Sequence, residues 1–321
     1  MLTRRSLLAT AGITLPAGAL RAQGGGGPVR LVVPFAPGGS VDVLARLLAP
    51  GMAQALRQDV IVENRTGAAG LIAAEAVAQS APNGLSLLVA SGGQTTIAAA
   101  LQHNLSFSPM RDLAPVTHLV NVPYVFAAGP SLRQPTLRDV VAFARANPRR
   151  VTYASPGNGS VTHLMMELLA QQTGATFVHV PYRGTGQAAT DLTAGRVDMT
   201  LSSIASVKPQ LDHGDLRPVA VAGDARLPQL PGVSTTAEQG IPGMDAPVWI
   251  GLVARAGTPE AVLARLDAAA RAALQAPEIV ARLAPLGMVS VADGPAPFAR
   301  TLAEDAERWA QAVRRGNITL D

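Results

Sequence analysis

The sequence predicts an α/β protein of two lobes with a ligand cleft between them. Three observations predict it. Strand-like and helix-like segments alternate along most of the chain, four glycine loops each follow a strand, and two long extended apolar segments stand at 114–130 and 247–257. At 321 residues the chain is long enough for two domains. Apolar residues make up 48% and charged residues 15%, a globular and not a disordered balance.

The chain begins with "MLTRRSLLATAGITLPAGALRAQ", a basic start followed by a short apolar stretch and small residues ahead of Ala22. This reads as an export signal over 1–22, cut near Ala22, and is too short and interrupted for a membrane span. Arg4 and Arg5 resemble a twin-arginine signal and equally suit a general secretory one. The mature protein is expected in the periplasm.

After "GGGGP" the elements come in order. Val29–Val33 is a strand, and Val41–Arg57 an amphipathic helix with Val41, Leu44, Leu47 and Leu48 on one face. Val60–Glu63 is a strand, Leu71–Ser80 a helix, "PNG" at 82–84 a turn, Leu85–Ala90 a strand, and "SGGQTT" leads into another helix. This βαβαβ order argues for a mainly parallel sheet. The segment 114–130 is longer than one ordinary strand and suits a strand crossing between lobes. Leu137–Asn147 and Val161–Thr173 then read as helices, with strands at Val151–Ala154, Phe177–Val180, Val197–Leu201 and Val219–Ala222 and a helix at Gln187–Ala194. The segment 247–257 is the return crossing, and 259–315 is mostly helical with a short strand near Met288–Val291. One lobe is therefore expected over 28–122 with 247–321, the other over 123–246.

The composition excludes several classes of function. There are no cysteines, so disulfides, thiolate nucleophiles and cysteine-based metal centres are out. The formal charge is +4, and Arg4, Arg5 and Arg21 of the leader account for three of it, leaving +1 with no basic run. A nucleic-acid footprint is absent. No G-x-S-x-G elbow, H-E-x-x-H motif or Walker loop occurs, and the five histidines are scattered. "GTGQAA" at 184–189 matches a loose dinucleotide pattern, but no acidic residue ends a following strand at the right distance. No cofactor and no metal are expected.

The four glycine loops, "PFAPGGS" (34–40), "SGGQTT" (91–96), "SPGNGS" (155–160) and "RGTG" (183–186), fall two to each lobe. Ligands of open α/β sheets sit at the carboxyl ends of strands. Backbone amides at such ends hold anions without a full positive charge. Asp42 reads as a helix-end stabiliser or as a group that orders the loop or meets a ligand. Ser40, Ser155 and Ser160 read as caps or ligand hydroxyls. His163 stands near the cleft mouth as a structural or ligand-facing residue, and Arg183 is a candidate cation for a carboxylate.

"VPFAPGGSVDVLAR", "VENRTGAAG", "YASPGNGSVTHL", "VPYRGTGQAATDLTAGRVD" and "LPGVSTTAEQGIPGM" stand in an order that resembles the tripartite tricarboxylate transporter substrate-binding proteins, the Bug receptors. The resemblance runs from about Val29 almost to the C-terminus. It implies a type II periplasmic-binding-protein fold, two mixed-sheet α/β lobes joined by two crossing strands and closing on a small carboxylate. By motif it puts Phe35, Ala36, Gly38, Gly39, Ser40 and Asp42 on one wall, with Ser91 nearby. Ser155, Gly157, Gly159, Ser160 and His163 form the other wall, with Tyr182 and Arg183 at its margin. Gln187 and Thr66 stand where relatives often carry proline. The resemblance implies a receptor that delivers its ligand to membrane permease subunits, and the receptor is expected to be a monomer. An exported sensor and an exported α/β hydrolase are the alternatives.

Overall fold

The computed structural model describes residues 27–101, 105–244, 248–316 and 318. The expected export signal lies outside these residues. In chain order the elements are β1 (Val29–Val33), α1 (Ser40–Leu56), β2 (Val60–Asn64), α2 (Leu71–Ala78), β3 (Ser86–Ala90), α3 (Thr96–Leu101), α4 (Pro109–Asp112), β4 (Leu113–Asn121), β5 (Tyr124–Ala128), α5 (Leu137–Ala146) and β6 (Val151–Ser155). There follow α6 (Val161–Thr173), β7 (Phe177–Pro181), α7 (Thr185–Thr193), β8 (Met199–Ser203), α8 (Ile204–His213), β9 (Arg217–Val221), β10 (Trp249–Arg255), α9 (Glu260–Gln275), α10 (Pro277–Leu283), β11 (Val289–Ser290) and α11 (Pro295–Gly316).

The strands form two sheets. One has the order β11-β4-β10-β3-β1-β2 and the other β7-β6-β8-β5-β9. In the first, β1 runs parallel to β2 and β3; in the second, β6 runs parallel to β7 and β8. Each sheet also takes one strand that arrives from the other sheet, and that strand runs antiparallel. Tyr124 opens β5 opposite Ser203, the last residue of β8, and Gly251 of β10 lies opposite Ala90, the last residue of β3. A chain entering a sheet at the carboxyl ends of its parallel strands can only run back down them. Both crossings therefore lie beside the ends where a ligand of an open α/β sheet sits.

The expected single strand over 114–130 is two strands in two sheets. Pro123 has no N–H to continue a ladder, and the chain turns there from β4 to β5. Val122 N–H meets the Val248 carbonyl at 2.7 Å, so the two crossings run side by side. The helix α8 lies in a stretch that the sequence reading leaves unassigned.

Packing follows the pattern that formed each element. The apolar face of α1 (Leu44, Leu48, Met52) is buried against the first sheet and α9, where Ala269, Ala270 and Ala273 offer small side chains. A Cβ on Gly51 would lie 2.9 Å from the Ala273 Cβ, so α1 and α9 meet nearly backbone to backbone. The second sheet buries Phe126, Tyr153, Met165, Met166 and Leu169. Ile97 of α3 and Trp309 of α11 join that second core. The carboxylate of Asp305 on α11 accepts from Thr96 Oγ1 (2.6 Å) and Trp249 Nε1 (3.0 Å), tying α11 to α3 and β10.

Candidate functional site

Between the sheets lies a small inner cavity with about 40 Å³ of space for the centre of a water molecule. It is lined by the first turns of three helices: Gly39, Ser40 and Val41 of α1, Ser160, Val161 and Thr162 of α6, and Ser203 and Ser206 at the start of α8. Ser91, Gly93 and Gln94 of the turn after β3 close a further side, and Phe35, Val122, Val248 and Ile250 give apolar wall. Among the described residues no charged side chain lines it. The first-turn N–H groups of a helix have no intrahelical acceptor, and each helix N-terminus carries partial positive charge. Three such ends and a ring of hydroxyls therefore face one small volume.

A wider outer cavity, about 560 Å³ by the same measure, adjoins the inner one through Phe35 and Pro156. Gly67, Ala68, Ala69, Gly157, Tyr182, Arg183 and Gln187 line it. Ala68 and Ala69 have φ of 47° and 52° between Gly67 and Gly70, so this turn holds two alanines in the left-handed region. Ala69 carbonyl accepts from Gln94 Nε2 at 2.8 Å, which links the turn to the inner wall.

The loops forming the two walls are held from behind. Gly38, with φ of 93°, donates its N–H to Asp42 Oδ2 at 3.0 Å. The same carboxylate accepts from Arg46 Nε and, at 2.9 Å, from Asn64 Nδ2, which also holds the Phe35 carbonyl. Burial opposes the Asp42 charge; the hydrogen bonds from Arg46, Asn64 and Gly38 outweigh it and hold the carboxyl below its ordinary value. Asp42 thus orders the loop. The residue preceding the helix is Gly39, and Ser40 begins it, its N–H donating across the cleft to Ser206 Oγ at 3.0 Å. Ser206 Oγ is in turn 2.7 Å from Ser203 Oγ.

On the opposite wall Ser160 caps α6 by accepting from His163 N–H at 3.3 Å. Gly159 donates its N–H to His163 Nδ1 (3.1 Å), and Gly157 donates to Ser155 Oγ (3.0 Å). Ser155 Oγ is also 2.5 Å from His179 Nε2. Ser155 and His163 line neither cavity. The structure therefore commits the N–H groups of Gly38, Gly157 and Gly159 inside the protein. Gly39, Ser40, Ser91 and Ser160 stand on the inner wall, with Phe35 shared between the cavities. Gly157, Tyr182 and Arg183 stand on the outer one. Ala36 lies at the mouth: a Cβ on Gly184, from the other sheet's side, would fall 2.7 Å from the Ala36 Cβ. The Tyr182 hydroxyl donates to Asp191 Oδ2 at 2.7 Å, and burial followed by that carboxylate pushes its phenol up to about 12.

Sequence reasoning missed Ser203, Ser206, Thr162 and Tyr124 on the inner wall. Tyr124 shares a hydrogen bond with Thr162, and burial pushes its phenol up to about 12. A serine cluster at a strand-to-helix step, "LSSIAS", was the available signal. The Ser155–His179 pair was missed as well. It is a serine and an imidazole in contact, but His179 otherwise meets only the rings of Tyr153 and His163 among the described residues. A nucleophile and base need a third group to orient the base and a path to substrate. Among the described residues no cluster of His, Asp or Glu is placed to hold a metal ion, and no helix is long and apolar enough to cross a membrane.

Two α/β lobes with a cleft at the carboxyl ends of their strands, entered by two crossings, define a two-lobed solute-binding protein. Residues 44–318 match the tripartite tricarboxylate transporter family receptor, TctC, and the chain belongs to that family. It is 34% identical to protein BugT of Bordetella pertussis, over 98% of this chain and 96% of that protein. Among solved structures it resembles MatC from Rhodopseudomonas palustris with bound malate, at 34% identity and a TM-score of 0.86, covering 89% of this chain and 98% of that one. It resembles R. palustris Rpa4515 with adipate equally well, at 31% identity and a TM-score of 0.86, covering 91% and 98%. The type II binding-protein architecture and the receptor family expected from the motifs are thereby shown.

Proposed function

We propose that this chain is a periplasmic receptor that captures a small carboxylate by hinge closure and delivers it to membrane permease subunits, without catalysing a reaction. One observation carries the reading. The N-terminal turns of α1, α6 and α8 meet at one small cavity rich in hydroxyls and, among the described residues, free of charged side chains. An anion there gains several charge-assisted hydrogen bonds of about 1.5–3 kcal/mol each and loses the association cost. The balance is on the order of −8 kcal/mol, a micromolar Kd. With no lysine or arginine among its described lining residues, the cavity would hold the anion through backbone amides and hydroxyls. The lobes that close are residues 28–122 with 247–321 and residues 123–246. The malate and adipate held by the two R. palustris relatives support the ligand class. The mature protein, cut near Ala22, acts as a monomer.

The test is a thermal-shift screen of the mature protein with malate, adipate, succinate and aromatic acids against neutral sugars and cationic amino acids. A ligand that binds only the native state raises Tm, by about 2.7 kcal/mol of added stability at 100 times Kd. A shift by one or more carboxylates is the expected result. A shift by sugars or cations with none by carboxylates overturns the proposal.

A further inference from the structure

The wall loop 156–160 rests on two imidazoles stacked face to face. The rings of His163 and His179 lie 4.3 Å apart with 13° between their planes, and Tyr153 stacks on the other side of His179 at 4.9 Å. Sheet register brings the set together. Tyr153 of β6 is paired directly with His179 of β7, and Ser155 is two residues on, on the same face. The helix α6 covers that face with His163.

Each ring controls one loop amide. His163 Nδ1 accepts the Gly159 N–H at 3.1 Å, which requires a bare nitrogen there and puts the ring proton on Nε2. His179 Nε2 holds the Ser155 hydroxyl at 2.5 Å, and that oxygen accepts the Gly157 N–H. We propose that His163 is the positioning residue of this loop, and that its protonation releases the Gly159 amide and loosens the wall carrying Ser160. A proton on Nδ1 turns the acceptor into a donor aimed at another donor, and places an imidazolium against the face of its stacked neighbour. The proposal rests on reading this loop as one wall of the ligand site.

The surroundings set the direction. On α6 itself Glu167 Oε1 stands 3.8 Å from His163 Nε2 and also receives the Tyr153 hydroxyl at 3.2 Å. Glu167 favours the charged ring, while burial, the larger influence, holds His163 below its ordinary value. From β7, His179 is pushed down to about 4 by burial and then by His163. On α11, which packs against α6, Asp305 is taken up by Thr96 and Trp249. The loop is thus intact at neutral pH and loosens only at a pH below that at which a free histidine takes up its proton.

The experiment is an NMR pH titration of the ligand-free protein that follows the Gly157 and Gly159 amides and the ring C–H signals of His163 and His179. The Gly159 amide should move with the His163 ring, at a shared midpoint below that of free histidine. In His163→Asn, whose Oδ1 replaces Nδ1 as an acceptor that does not titrate, the Gly159 amide should keep its protection and lose that pH dependence. In His163→Ala its hydrogen exchange should rise at least tenfold. A Gly159 amide that ignores the His163 midpoint in the wild type, or that titrates unchanged in His163→Asn, overturns the proposal. A second arm measures malate affinity from pH 7.5 to 5, where the wild type should weaken at least threefold more than His163→Asn, the variant reporting the titration of malate itself. If malate does not bind at all, the receptor reading is what suffers, and the ligand-free titration still decides the role of His163.

Discussion

Asp42 and His163 perform one task in two lobes with opposite chemistries. Each is the third residue of its helix, and each accepts the N–H of the glycine four positions earlier. The effect is that of a capping box reaching one residue further back. Asp42 carries the larger share, because its carboxylate also holds Arg46 and Asn64, and Asn64 holds the Phe35 carbonyl. Asp42→Ala strands the Gly38 amide and the Asn64 side chain together. It should cost about 2 kcal/mol of stability in urea unfolding, and Asp42→Asn, which keeps one acceptor, less than half of that. Arg46→Ala should cost under about 1 kcal/mol, because the arginine lies half in solvent. The sequence shows that Asp42 and His163 sit beside glycine loops. It does not show whether they face a ligand or the loop, since that depends on a rotamer and on which partners arrive from β2 and β7.

At the scale of elements, the loop and helix starts were readable because their signals are local. The apolar run to Val33, then Pro34, Pro37 and two glycines, then the face of Leu44 and Leu48 mark strand, turn and helix with no outside contact. The β5 start and α8 were harder. Pro209 lies inside α8 and its first turn is rich in serine, which masks the helical spacing of Ile204, Val207 and Leu211. The segment 114–130 is continuous in hydropathy, and only Pro123 marks the switch of sheet. Gly184 shows what a short element contributes to closure. A Cβ there would lie 2.7 Å from the Ala36 Cβ and 3.0 Å from the Ala36 nitrogen, a backbone approach across the cleft mouth. Gly184→Val should therefore obstruct the closed form and leave each lobe's core intact. Ligand affinity should fall about tenfold or more, matching the roughly 1–3 kcal/mol of an overpacked contact. Calorimetric titration with the carboxylate found by thermal shift measures the loss. An unchanged Tm of the ligand-free protein, with an affinity equal to wild type, would show that the mouth does not close on Ala36.

At the scale of the whole molecule, the stability of the protein against acid is set by buried histidines before its carboxylates titrate. His179 is held at about 4, and His163 and His118 are held below 6.5, in each case chiefly by burial. A base whose pKa is lower in the folded state binds fewer protons there than when unfolded, so stability is present above pH 6.5 and is lost as pH falls. For His179 the window runs from 6.5 down to about 4. Its full loss is on the order of 3 kcal/mol at pH 4, reduced by the screening that partial exposure allows. Asp305 has the opposite sign, since burial raises its pKa and the folded state gains protons earlier. Asp42 has the same sign as the histidines but a lower window, between its unfolded value of 3.8 and its depressed folded value. Between pH 6.5 and 4.5 the imidazoles should thus dominate. Tm should fall by several degrees over that range, at about 2–4 °C per kcal/mol for a protein of this size class. His179→Gln places an amide where Nε2 meets Ser155 and cannot take up a proton. It should flatten the profile by a third or more, while Asp42→Asn leaves that range unchanged and alters only the limb below pH 4. A His179→Gln profile parallel to wild type from pH 6.5 to 4.5 would mean that the stacked pair is not what acid attacks first.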